Sequence, residues 1–115
     1  MSITRLEKPW GYELIFAKTP FYVGKILHIT KDQKLSLQYH NIKTETIFLN
    51  SGKMLLQVED NNKTLKDIIL NTGDSYHIPP LTTHRMIALE TCDVFEVSTP
   101  HLDDIVRIQD LYGRI

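Results

Sequence analysis

The chain has 115 residues, enough to close one hydrophobic core, and we expect a single domain over residues 1–115. Its 13 Lys and Arg against 14 Asp and Glu give a formal net charge of -1, which argues against a nucleic-acid or anionic-membrane binder. The one cysteine, Cys92, excludes an internal disulfide framework, and without a leader or a long apolar run we expect a cytoplasmic protein.

Apolar residues recur with a period of two in short runs rich in Val, Ile, Phe and Tyr, which predicts an all-β fold. The turn sequences KDQK, NSGK, EDNNK, NTGD and PPLTT separate the runs. The predicted strands are residues 12–16, 22–30, 34–40, 46–49, 53–59, 65–70, 75–78, 84–89 and 94–98. The tail, residues 103–114, fits a short helix or an extended cover segment equally well. Short strands at this spacing favour a β-sandwich or a small barrel.

Several side chains able to bind a metal lie on or beside these strands. Gln38 and His40 are two residues apart, so they share one face of a strand. Glu45 follows a short connection that can return it to that face, and His84 opens a strand after the rigid IPPLTT turn. Imidazole, carboxylate and amide oxygen suit Zn²⁺, Mn²⁺ or Fe²⁺. Spacing alone leaves two interpretations open, a metal site or ordinary hydrogen-bonded polar residues. The other histidines are interpreted as surface or structural residues: His28, His77 and His101.

Two segments resemble the motifs of the cupin superfamily. Residues 32–52 resemble the first motif, through Asp32, Gln38-Tyr39-His40, Glu45 and Gly52, and residues 73–88 resemble the second, through Gly73, Pro79 and His84. The sequences EKPWGYE, LSLQYH and DDIVRIQDLYGR are similar to the cupin half of the type II mannose-6-phosphate isomerases, which are often fused to a mannose-1-phosphate guanylyltransferase. A glycine-rich nucleotide loop does not occur in the sequence, so we expect only the isomerase-like half.

The resemblance implies a cupin double-stranded β-helix, or jelly-roll barrel, with a short C-terminal segment. It implies a divalent metal ion inside the barrel, Zn, Mn or Fe, held by Gln38, His40, Glu45 and His84. Gln38 replaces the first histidine of many cupins with a weaker, neutral oxygen donor. The ion would then keep a net positive charge and act as a Lewis acid.

Three positions depart from the cupin motifs. Asp32 and Leu81 stand where the motifs have glycine, and Ala88 stands where the second motif often has Asn. None of these removes a metal ligand. We expect Leu81, in a turn that favours glycine, to reshape the mouth of the barrel.

The implied function is a metal-dependent aldose-ketose isomerase that converts mannose 6-phosphate to fructose 6-phosphate by moving a proton between C2 and C1. We assign the base to Glu96, in a strand rich in apolar residues, because burial raises the pKa of a carboxyl. The cations assigned to the phosphate are Lys25, Arg85 and Arg107, with Lys25 and Arg85 counted as catalytic, and Tyr76 is assigned to substrate binding. Each has an ordinary alternative, namely a surface charge, a satisfied buried carboxyl or a packed aromatic ring.

A second function stays open, since one fold hosts many functions. The chain could be a non-catalytic cupin that binds a sugar, a sugar nucleotide or only a metal. A small dioxygenase is a weaker third possibility, which Gln38 disfavours. The expected partner is a small-molecule sugar phosphate, and a homodimer is expected because single-domain cupins commonly pair through edge strands and terminal segments.

Overall fold

The computed structural model describes residues 3–114 and shows that this part of the chain is all-β, as predicted. Eleven strands occur in these residues: β1 (Thr4–Lys8), β2 (Gly11–Lys18), β3 (Val23–Ile29), β4 (Leu37–Tyr39), β5 (Glu45–Ser51), β6 (Lys53–Glu59), β7 (Leu65–Asn71), β8 (Ser75–Ile78), β9 (His84–Ala88), β10 (Cys92–Ser98) and β11 (Val106–Gln109). All the strands predicted from the sequence are present, with small shifts at their ends.

The strands form two antiparallel sheets with a jelly-roll connectivity. The six-stranded sheet has the order β1-β2-β3-β10-β5-β8, and the five-stranded sheet has the order β11-β4-β9-β6-β7. The chain crosses repeatedly from one sheet to the other, so β10 lies between β3 and β5, and β9 lies between β4 and β6. This is the predicted double-stranded β-helix.

Two strands extend the predicted set, and both lie at sheet edges. β1 reads TRLEK and is mostly exposed, so it lacks the alternation of apolar and polar residues that identifies a half-buried strand. β11 in the tail pairs with β4, so the extended alternative is confirmed and the helical one is wrong. Its pairing places Arg107 opposite Gln38.

The space between the sheets is filled by apolar side chains over most of its length. Ile47, Leu49, Met54 and Leu56 are completely buried there, and Trp10 is part of the same core. A second set of buried residues is polar or charged: Glu13, Lys25, Ser36, Gln38, His40, Lys43, Glu45, His84, Arg85, Glu96 and Ser98. Buried charges are costly unless they are paired or bind a metal, so this set contains the candidates for a functional site.

Two positions where the cupin motifs have glycine keep the backbone conformation that favours glycine. The φ angle is 69° at Asp32 and 59° at Leu81, both in the left-handed region. The Leu81 N–H donates to the carbonyl of His40 over 2.7 Å. The turn beside His40 therefore has a left-handed residue although leucine replaces glycine.

Gly52 gives a first prediction about stability. Its φ is +95°, and an added Cβ would lie 2.3 Å from the Thr91 carbonyl oxygen, whereas Gly73 has φ +96° and an added Cβ there would meet nothing within 4 Å. We expect Gly73→Ala to lower the free energy of unfolding by roughly 1–2 kcal/mol through backbone strain alone. Gly52→Ala should cost about 1–3 kcal/mol more because of the added contact. Urea unfolding of both variants measures the difference, and equal costs would show that the contact with Thr91 is relieved without penalty.

Candidate functional site

The inner face of β4 and its flanks supplies the first two polar residues of the site. From residue 35 to residue 40 the even-numbered residues are buried and the odd-numbered ones only partly so. Gln38 is 9% exposed and His40 is 2% exposed. The predicted shared face of Gln38 and His40 is therefore present.

Three predicted ligands come together from three strands. Glu45 is the first residue of β5, His84 is the first residue of β9, and His40 directly follows β4. Their ligand atoms all lie within 4.8 Å of one another. The Oε1 atom of Glu45 is 3.1 Å from Nε2 of His84 and 3.5 Å from Nε2 of His40.

A backbone carbonyl orients each imidazole through a hydrogen bond at Nδ1. Nδ1 of His40 donates to the carbonyl of Asp104 over 2.6 Å, and Nδ1 of His84 donates to the carbonyl of Thr82 over 2.8 Å. A carbonyl can only accept, so Nδ1 carries a proton in both rings. In a neutral imidazole, Nε2 then presents a lone pair.

The resulting cluster fits a metal ion. His40 Nε2, His84 Nε2 and Glu45 Oε1 are buried and have no hydrogen-bond partner among the residues that the structure describes. Three acceptors that face one another repel, and a proton or a cation between them relieves the repulsion. Imidazoles that donate Nδ1–H to a carbonyl and present Nε2 are the usual arrangement around a protein-bound divalent ion.

Glu45 is ionised in this arrangement. Burial opposes its ionisation, but hydrogen bonding with the His40 and His84 rings, through a proton held between Glu45 and an imidazole, and the charge of the Lys43 ammonium outweigh burial and hold the pKa of Glu45 well below its usual range. The cluster therefore contains one anionic ligand and two imidazoles. Gln38 lies opposite His84 across β4 and β9, and its Oε1 accepts a hydrogen bond from the Ser36 hydroxyl over 2.7 Å.

A cavity of about 270 Å³ adjoins the cluster. Gln38 and His40 are in its wall, whereas Glu45 and His84 are not among the residues that line it. The other polar or charged side chains of the wall are Lys8, Glu13, Lys25, Lys43, Glu96, Asp103, Arg107 and Arg114. The apolar part of the wall includes Trp10.

A chain of buried ion pairs links the cavity wall to the cluster. Lys25 Nζ lies 3.0 Å from Glu13 Oε1 and 3.8 Å from Glu96 Oε2. Lys43 Nζ lies 3.2 Å from Glu96 Oε2 and 3.1 Å from Glu45 Oε2. Each lysine thus bridges two carboxylates, and Glu96 lies between the two lysines.

The Glu96 carboxyl is a weaker acid than an ordinary glutamate. Burial is the largest cause and the Glu45 charge is the second, and together they raise the pKa of Glu96 to about 7 although Lys43 and Lys25 oppose the shift. A carboxyl with a pKa near neutrality can both accept and give a proton at physiological pH.

Two residues predicted to act on the substrate lie elsewhere. On a strand, adjacent side chains point to opposite faces, so Arg85 points away from the interior into which His84 projects. Its Nε donates to the Leu35 carbonyl and its second guanidinium nitrogen to the Gln109 carbonyl, which ties β11 to the rest of the sheet. Tyr76 lines a different cavity, because β8 is the far edge of its sheet. The structure therefore does not bring Arg85 or Tyr76 to the cavity beside His40.

The structure also reveals site residues that the sequence analysis missed. Lys43 lies in the connection between His40 and Glu45, where a lysine is normally an exposed loop residue. Glu13 lies on a predicted strand with the same parity as Ile15, a weak signal that it points inward. The remaining histidines lie outside the cluster, as predicted: His28 pairs with Asp93, His77 with Thr46 and His101 with Thr99.

Comparisons with known proteins agree with this geometry. A family model described as mannose-6-phosphate isomerase C-terminal matches residues 2–110. The alginate biosynthesis protein AlgA of Pseudomonas aeruginosa is 32% identical over 113 residues, which cover 93% of this chain and 22% of AlgA. The xanthan biosynthesis protein XanB of Xanthomonas campestris is 33% identical over 116 residues, with 24% of XanB covered. The chain thus spans about a quarter or less of the length of the curated relatives it matches.

Solved structures support the fold. KdgF from Halomonas sp. has a TM-score of 0.74 at 19% identity, covering 87% of this chain and 86% of KdgF. A Klebsiella pneumoniae protein with a double-stranded beta-helix domain has a TM-score of 0.69 at 17% identity, covering 81% of this chain and 79% of that protein. Within residues 3–114, no helix has the length and apolar character of a membrane span.

Proposed function

The chain belongs to the mannose-6-phosphate isomerase C-terminal family, and from this premise we propose that it is a metal-dependent isomerase that interconverts mannose 6-phosphate and fructose 6-phosphate. The observation that carries the proposal is the group of unpartnered acceptors on His40, Glu45 and His84 next to a cavity lined by lysines and Glu96. A carboxyl with a pKa of about 7 at that cavity favours catalysis over binding alone.

The metal would be held by Gln38, His40, Glu45 and His84. A divalent ion there would supply Lewis-acid chemistry, which stabilises negative charge on the carbonyl and hydroxyl oxygens of the sugar. The Nδ1–H bonds of both imidazoles keep Nε2 directed towards Glu45, and Lys43 pairs with the second oxygen of Glu45.

Glu96 would transfer the proton. In the direction from aldose to ketose, its carboxylate takes the proton from C2 and returns it to C1, while the hydroxyl proton moves from O2 to O1. Lys25 and Lys43 hold Glu96 from two sides, so its carboxylate cannot turn away from the cavity. These lysines replace the solvation that a buried carboxylate lacks.

Arg107 is the best candidate for the phosphate. It lines the cavity, and its buried Nε has no hydrogen-bond partner among the described residues, so its guanidinium can donate to a phosphate. A cavity of about 270 Å³ is at the small end of ligand pockets and suits a monosaccharide phosphate better than a sugar nucleotide.

The direct test is a coupled assay that follows fructose 6-phosphate from mannose 6-phosphate with protein loaded in turn with Zn²⁺, Mn²⁺, Fe²⁺ or Co²⁺. We expect turnover that chelation abolishes and one ion restores. No turnover with any ion, in protein that demonstrably binds metal, would favour the non-catalytic alternative. The homodimer and the cytoplasmic location stay predictions.

Arg107→Gln gives a separate prediction about substrate binding. We expect KM for the sugar phosphate to rise roughly 10- to 100-fold, because a charge-assisted hydrogen bond to phosphate is lost, while kcat and metal content change little. Unphosphorylated mannose is the control substrate, since its slow turnover should be the same in both proteins. An equal loss with mannose would assign Arg107 to the architecture of the cavity instead.

A further inference from the structure

Asp104, in the C-terminal segment, contacts both the His40 imidazole and the connection between β4 and β5. The carboxylate of Asp104, just before β11, accepts hydrogen bonds from three successive backbone N–H groups, those of Asn41 (3.0 Å), Ile42 (2.6 Å) and Lys43 (2.8 Å). The backbone carbonyl of the same residue accepts the Nδ1–H of His40 over 2.6 Å. Four consecutive residues of the connection between β4 and β5 are thus bound to Asp104.

We propose that Asp104 is a positioning residue, which sets the orientation of the His40 imidazole and the path of the connection that carries Lys43. The inference rests on the proposed metal site, because its consequence is tighter binding of the metal. Asp104 does not touch the metal or the substrate and acts through His40 and Lys43 alone.

The two contacts act together because they come from one residue. The carboxylate fixes where Asp104 lies relative to residues 41–43, and this in turn fixes where its carbonyl meets the imidazole. An imidazole held at Nδ1 cannot rotate about its Cβ–Cγ bond without losing that hydrogen bond. Nε2 of His40 therefore stays 3.5 Å from Oε1 of Glu45.

The same contacts define the position of Lys43. Its backbone N–H is bound to Asp104, and its ammonium reaches both Glu45 and Glu96. The three backbone donors also hold the pKa of the Asp104 carboxyl well below its usual range, so the group is a carboxylate at any pH at which the protein would work.

An ionised carboxylate is the required group at this position. It offers only acceptors, and each of its oxygens receives at least one backbone N–H. In Asp104→Asn one oxygen becomes an NH₂ group, which faces an N–H donor in either orientation of the amide. The variant keeps the size of the side chain but not the contact.

The experiment compares Asp104→Asn with Asp110→Asn by two measurements. The first is metal affinity, by competition of Zn²⁺ or Co²⁺ between the protein and a chromophoric chelator. The second is the ¹H–¹⁵N NMR spectrum of the imidazoles in metal-free protein, where the Nδ1–H of His40 should be protected from exchange. We expect Asp104→Asn to weaken metal binding about 10- to 100-fold, as loss of an outer-sphere partner does, and to lose the protected Nδ1–H signal.

Asp110 is a matched control because it is a carboxylate of the same segment, with a buried side chain, that also accepts a backbone N–H, from Arg114, over 2.7 Å. Asp110→Asn should leave metal affinity and the His40 signal unchanged even if it loosens the tail. Equal losses of metal affinity and of the His40 signal in both variants would overturn the proposal and leave Asp104 with a general role in tail docking. An unchanged His40 signal in Asp104→Asn would overturn it as well. If the original chain binds no metal, the proposed function fails, and the NMR comparison still decides the role of Asp104.

Discussion

Glu45→Gln is expected to abolish tight metal binding and to lower the stability of the metal-free protein. Glu45 is the anionic member of the ligand cluster, and its Oε1 lies between the two imidazole nitrogens. Its loss should weaken binding by more than the roughly 100-fold that removal of an outer-sphere partner costs, and turnover should disappear with the metal.

The stability of the metal-free variant follows from hydrogen bonding. In the original chain the pKa of the Glu45 carboxyl is held well below its usual range, so ionisation of Glu45 stabilises the folded state at neutral pH, and a glutamine that does not titrate loses this contribution. The glutamine amide can donate to one Nε2 and accept from Lys43, which recovers about 1–3 kcal/mol of the loss. Urea unfolding in the presence of chelator measures this balance.

Glu13→Gln is the matched control for this prediction. Glu13 is also a buried glutamate paired with a lysine, but it lies at the other end of the ion-pair chain. Its variant should also lose stability but keep the metal, so metal affinity separates it from Glu45→Gln. Metal affinity retained in Glu45→Gln would remove Glu45 from the ligand set.

Glu96→Gln is expected to lower kcat by about 10²- to 10⁴-fold with little change in metal content, since glutamine cannot carry the proton between C2 and C1. An effect on KM alone would place Glu96 in substrate binding. Metal content is measured on the same samples, because loss of the metal would by itself lower kcat. A variant that has lost its metal would indicate that Glu96 supports the cluster.

The same variant tests the acidity of Glu96 in metal-free protein. Its pKa rises from 4.5 to about 7 on folding, so the folded state binds the proton more tightly and stability is lost as the pH rises through this window. Residue 96 of the glutamine variant does not titrate. Between pH 4 and pH 8 the original chain should therefore lose about 3 kcal/mol relative to Glu96→Gln.

The measurement is the difference between the two unfolding free energies at each pH. A flat difference would show that Glu96 does not titrate in this range. A cation bound to Glu45 would offset part of the charge that raises this pKa, so the loss should occur at lower pH in metal-loaded protein.

Periodicity in the sequence was sufficient to predict the side of the barrel on which most candidate ligands lie. The alternation that buries Gln38 and His40 is a local property of a strand, and the short connection to Glu45 keeps the third candidate nearby. The placement of Arg85 differs from the one that its assignment to the phosphate requires. Adjacent residues on a strand point to opposite faces, so the inward direction of His84 directs Arg85 away from the cavity.

Other parts of the site depend on contacts between distant segments. Lys43 and Asp104 look like ordinary loop residues in the sequence, and their roles follow from hydrogen bonds that join the β4–β5 connection to the tail. β1 escaped prediction because a strand at an exposed edge needs no alternation of apolar residues. The ion-pair chain likewise requires knowing that β10 lies between β3 and β5.

The hydrogen bond between His40 and Asp104 also determines when the site can form during protein synthesis. The two residues are 64 positions apart, which a ribosome adding about 5–20 residues per second covers in roughly 3 to 13 seconds. A nascent chain that contains Gln38, His40 and Glu45 gains His84 only after 39 further residues, and the carbonyl that orients His40 later still. The observed arrangement of His40, Glu45 and His84 can therefore assemble only after residue 104 has left the ribosome, so early metal capture would involve fewer and less oriented ligands.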